Sequence, residues 1–71
     1  MAKLPQTIRS MYTDVYAYHE RFADMGNTQE EWEQAVDTAK SVAAHHQNHP
    51  LMIALLGATF DWLDEERNRR T

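Results

Sequence analysis

Leu4, Ile8, Met11, Val15, Tyr18, Phe22 and Met25 follow one another at alternating steps of four and three residues. That spacing draws one apolar stripe along a helix, and no strand can carry it, because strand side chains alternate between two faces. The segment is therefore read as a helix with one buried side. Pro5 suits its first turn, where a missing N–H costs nothing. Gly26, directly after Met25, is expected to end it in the left-handed conformation that glycine adopts without strain.

Two more helices follow from the punctuation. Thr28-Gln29-Glu30-Glu31 has the form of a capping box, with the Thr28 hydroxyl on the Glu31 amide and the Glu31 carboxylate reaching back. Inward positions of the second helix are Trp32, Ala35, Val36, Ala39, Val42 and Ala43; half are alanine, which allows close approach to a neighbour. Asn48-His49-Pro50 breaks the pattern again: Asn48 tolerates a left-handed turn, while Pro50 disfavours helix at His49 and opens the next one. Such short connections place consecutive helices side by side and antiparallel. The expected fold is all-α, a single-domain up-down-up three-helix bundle over about 5–25, 28–47 and 50–68, associating as a dimer.

The chain is short for this task. At 71 residues and 8.3 kDa it can hold one small core. Hydrophobic residues are 42% of it, but nine of them are alanine, so large core side chains are few. Cysteine is absent, which excludes disulfides and thiolate metal centres. The longest apolar run, Leu51 to Leu56, is far too short to span a membrane, and Met1 to Pro5 lack the apolar stretch of a signal peptide. A soluble, reducing, cytoplasmic setting is expected, with no membrane contact.

Helix three carries more apolar surface than a lone bundle needs. From Leu51 to Leu63 only Gly57, Thr59 and Asp61 are not apolar. The large side chains spread well beyond the ~100° stripe of an ordinary surface helix. Helix one adds a second stripe of Tyr12, Tyr16 and His19. Uncovered apolar surface of this kind marks self-association or a protein partner. The expected anchors are Tyr12, Tyr16, Leu55, Phe60 and Trp62, since large aromatic side chains dominate interface energetics.

Catalytic and metal-binding arrangements fare poorly. His45 and His49 have metal-ligand spacing, yet His49 precedes proline and falls outside the helix, and no carboxylate is near in sequence. Asp37, Ser41 and His45 share one helical face, but a triad requires histidine between serine and acid, and here serine is central. There is no glycine-rich phosphate loop or dinucleotide fingerprint. An enzyme is not expected, and neither is a metal or cofactor.

Charge is unevenly distributed. Residues 11–66 hold every acidic side chain against Arg21 and Lys40 alone, a balance of −9, while the ends carry +5. An acidic body of this kind has no clustered basic face for phosphates, so direct nucleic-acid binding is not expected. In an up-down-up bundle Glu30, Glu31, Glu33, Asp61, Asp64, Glu65 and Glu66 gather near one pole. Such a patch can steer the protein to a basic partner surface.

The run Asn27-Thr28-Gln29-Glu30-Glu31-Trp32, then Asn48-His49-Pro50-Leu51 and Leu55-Leu56-Gly57-Ala58-Thr59-Phe60-Asp61-Trp62-Leu63-Asp64-Glu65, resembles a family of short helical proteins encoded in prophages and mobile elements of Gram-positive bacteria. Tyr16-Ala17-Tyr18-His19-Glu20 is similar as well, so the likeness covers residues 11–66. It implies a phage or mobile-element accessory protein that binds and modulates or inhibits a host or phage protein. Two other readings remain open. One is an acidic nucleic-acid mimic that inhibits a nucleic-acid-processing enzyme, of the anti-restriction or anti-CRISPR type; the other is a plain structural oligomerisation domain.

Overall fold

The computed structural model describes residues 4–24, 26 and 28–70, the last for its backbone alone. It is all-helical, with three helices and no strand among the described residues: α1 Gln6–Phe22, α2 Gln29–His45 and α3 Pro50–Arg70. Each pair of helices is in contact, and α1 with α3 forms the most extensive of the three interfaces. The first two helices are 17 residues long and the third is 21.

Helix starts follow the expected chemistry. Pro5 precedes α1 with φ −56° and ψ 153°, and its carbonyl accepts from the amides of Ile8 and Arg9. At α2 the Thr28 hydroxyl oxygen accepts from the Glu31 amide at 3.2 Å. The Glu31 carboxylate reaches back further than a simple box requires: it takes the Thr28 hydroxyl proton at 2.9 Å and the Gly26 amide as well. At α3 the residue before the helix supplies the cap, His49 Nδ1 accepting from the Leu51 amide at 3.1 Å.

Two helix ends differ from expectation. Helix α1 stops at Phe22, and Ala23 and Asp24 turn away before the glycine. Gly26 is not left-handed. Its small size serves the α2 cap instead, because a Cβ there would lie 2.8 Å from Glu31 Oε1. Helix α2 ends at His45 rather than near Gln47. His46 and Asn48 amides then donate to the Ala43 carbonyl, and both Gln47 (φ 58°) and Asn48 (φ 55°) are left-handed. Asparagine adopts that conformation readily, whereas glutamine does so at some cost.

The core comprises Met11, Val15, Tyr18 and Phe22 of α1, Ala35 and Ala43 of α2, and Met52, Leu56 and Leu63 of α3. Only alanines are fully buried on α2, and this is what lets α2 sit close. The Tyr18 hydroxyl crosses that short gap to donate to the Ala35 carbonyl at 2.9 Å. On the other flank of α2, Trp32 meets Phe60 edge-on with centroids 5.1 Å apart, and the Arg67 guanidinium lies 4.5 Å above the Trp32 ring. Two expected core positions lie outside it: Leu4 precedes the helix and is exposed, and Val36 sits on the outer side of α2. Met25 lies outside the described residues.

The molecule is elongated, 43 × 25 × 16 Å, with a radius of gyration of 13.0 Å. Its accessible surface is 5287 Å². A compact chain of this mass would show ~4,600 Å². No described helix is long and apolar enough to cross a membrane.

Candidate interaction face

Helix α2 packs on one flank of the α1 core stripe. Asp14 and Tyr18 bond to it, and Ala17 and Arg21 line a concavity with its Thr38 and Val42. Tyr12 and Tyr16 project from the opposite flank, by the 100° step of the helix. They are 49% and 69% exposed. On α3 the side bearing Phe60 and Arg67 meets Trp32 of α2, so the side bearing Leu55 and Thr59 is turned to α1. Trp62 stands at the outer edge of that side, 39% exposed, with the Arg69 guanidinium 5.2 Å from its ring. The three exposed aromatics thus border the seam between α1 and α3.

Leu55 and Phe60 are half-buried and pack against the core, so each offers only part of its side chain to the surface. Ile53, at 56% exposure, was not singled out by sequence and belongs with the exposed apolar set. Its signal was present, since it sits among the apolar residues of α3, but by the 100° step it falls on the flank of Phe60, opposite Trp62. Between Ile53 and Trp62 the outer surface of α3 is made of small residues, Ala54, Gly57 and Ala58, all exposed.

The seven acidic residues of the expected patch divide by partner. Glu31 is occupied by the α2 cap, Glu33 accepts from Gln29 Nε2 at 3.1 Å, Asp64 pairs with Arg67 at 2.8 Å, and Glu66 approaches Arg69 at 4.0 Å. Glu30, Asp61 and Glu65 are exposed and make no ion pair among the described residues.

Around the histidines the structure holds a contact that sequence reasoning missed. His46 Nε2 lies 2.6 Å from Asp14 Oδ2, with the His46 side chain only 11% exposed. The carboxylate comes from α1, far away in sequence, beside Val15 on the flank that faces α2. His45 stacks edge-on with His46 at 5.2 Å, and His49 lines the same open concavity of ≈300 Å³ with Thr7 and Met11. No group of three or more His, Cys, Asp or Glu among the described residues is arranged to hold a metal ion. Asp37, Ser41 and His45 are exposed along α2, with no hydrogen bond joining them among the described residues. One titrating group is shifted: burial pushes the Tyr18 hydroxyl above its usual value of 10.0.

No family model, curated protein or solved structure matches this chain.

Proposed function

We propose that this protein is a non-catalytic protein-binding module, an up-down-up bundle that self-associates through the outer face of α1 and α3. One observation carries the reading: Tyr12, Tyr16 and Trp62 stand open to water along the α1–α3 seam, in a chain with few large apolar side chains to spare. Aromatic side chains of this kind are the usual anchors of protein interfaces. The up-down-up order is supported by the contacts of Tyr18 with Ala35, and of Trp32 with Phe60 and Arg67. The exposed carboxylates at the Glu20, Asp24 and Glu30 end supply a docking charge for a basic surface on a host or phage protein. The resemblance to prophage-encoded helical proteins supports a phage or mobile-element accessory role, exercised in the cytoplasm of the host cell.

The acidic-mimic reading draws less support, because four of the seven patch carboxylates are held by groups of the chain itself.

Sedimentation equilibrium of the purified chain tests the proposal. A concentration-dependent dimer is expected, weakened by Tyr16→Lys and by Trp62→Ala while far-UV circular dichroism keeps its helical signal. A monomer at every concentration, indifferent to both substitutions, overturns it.

A further inference from the structure

The charge on the exposed face points to one arrangement of the pair. Arg9, Tyr12 and Tyr16 fall three and four residues apart on α1 and form one exposed stripe. On α3 the exposed residues Ala54, Ala58, Asp61 and Glu65 form another, again at steps of four and three. Tyr18 reaches Ala35, and Trp32 reaches Phe60, so in the up-down-up order Tyr18 stands near the level of Gly57. Arg9 then stands level with the residues just before α3. Glu65 lies about 25 Å further along the same face, at 1.5 Å per residue. Arg9 stands at one end of this face; at the other Asp61, Glu65 and Glu66 outnumber Arg69, which leans over Trp62 and approaches Glu66 at 4.0 Å, and neither Arg9 nor Glu65 has an ion pair among the described residues. Midway between them lie Gly57 and Ala58, and a Cβ added at Gly57 would meet nothing within 4 Å.

We infer that a second copy of this chain docks antiparallel across the α1–α3 face, its two-fold axis near Gly57 and Ala58, with Arg9 of each copy set against Glu65 of the other. The inference rests on the self-association proposed above. A two-fold interface presents the same patch on both copies, so one favourable pairing occurs twice. Laid parallel, the two copies would instead bring Asp61 and Glu65 against their own counterparts, a like-charge juxtaposition that opposes docking. The small residues at the middle let the two helices approach closely, while Tyr12 and Trp62 flank them from either side.

Charge reversal separates the arrangement from the association itself. In sedimentation equilibrium, Arg9→Glu alone and Glu65→Arg alone are each expected to weaken the dimer about tenfold or more, since each turns two attractions into two repulsions. An equimolar mixture of the two variants restores both attractions: one contact has its charges exchanged, and the other keeps the native Arg9 and Glu65. That mixture is expected to form a heterodimer about as tight as the wild type. Gly57→Phe, placed where the monomer has open space, is expected to abolish pairing while leaving helix content unchanged. Wild-type dimers with no recovery in the mixture overturn the antiparallel arrangement and leave self-association standing. A wild type that is monomeric throughout, with Tyr16→Lys silent, overturns both.

Discussion

Tyr18 joins α1 to α2 through a hydroxyl almost wholly removed from water, and the residue itself is 2% exposed. Phenylalanine keeps the ring against Phe22 and loses the bond to the Ala35 carbonyl, so Tyr18→Phe is expected to destabilise by about 0.5–1.5 kcal/mol in urea unfolding. The same substitution changes the response to alkali. Burial raises the folded-state pKa of Tyr18 above the unfolded value, so its contribution is complete below the ordinary 10.0 and is lost as pH rises through the folded value. Wild type should therefore lose stability above that pH more steeply than Tyr18→Phe, as read by urea midpoints on both sides of it. Gly57 is the opposite case, a mid-helix glycine whose missing Cβ accommodates nothing within the monomer. Gly57→Ala should raise the urea-unfolding free energy by ~0.5–1 kcal/mol, measured in an Arg9→Glu background so that pairing does not mask it.

At the scale of the element, the capping of α2 and the junction after it govern how the rods meet. Thr28→Ala removes the acceptor for the Glu31 amide and strands the carboxylate that also holds Gly26, so a loss of about 1 kcal/mol is expected by chemical denaturation. The Asp14–His46 pair fixes the end of α2 against α1, just before two consecutive left-handed residues that a looser junction would not hold. A double-mutant cycle with Asp14→Asn and His46→Ala should return a coupling of about 0.5–3 kcal/mol, whereas additive losses would mean that the contact holds nothing. The three helices and their starts were legible in the sequence, because apolar spacing, Thr28 with Glu31, and Pro50 are local signals. The ends were less so. The α1 stripe runs on to Met25, but periodicity alone cannot register that the Glu31 carboxylate needs Gly26 free to bond. Asp14 was invisible for a different reason: its partner is chosen by how α1 and α2 meet, and nothing near either residue encodes that. Of the expected anchors, Tyr12, Tyr16 and Trp62 are open, while Leu55 and Phe60 turn partly inward, since a helical wheel ranks side chains without knowing on which side each neighbour will lie.

For the whole molecule, shape and charge act together. An 8.3 kDa rod 43 Å long shows more surface than a compact chain of its mass, and part of that excess is aromatic. A second copy that covers it binds the folded state alone, so the melting temperature should rise with protein concentration. Net charge offers a competing cause for any effect of charge reversal. The chain carries −4, and Arg9→Glu makes it more acidic, which can lower stability by self-repulsion within one monomer. That effect is the same at every concentration, and in a mixture of Arg9→Glu with Glu65→Arg it yields two independent melting transitions, each at its own variant's temperature. Pairing behaves otherwise. Each variant alone should show a weaker dependence of its melting temperature on concentration, and the equimolar mixture should regain the wild-type slope, with a single transition above both. Calorimetry across a hundredfold dilution decides between them: a mixture that melts as the sum of its parts leaves the Arg9 and Glu65 charges acting within one chain, and recovery of the slope requires that they act between two.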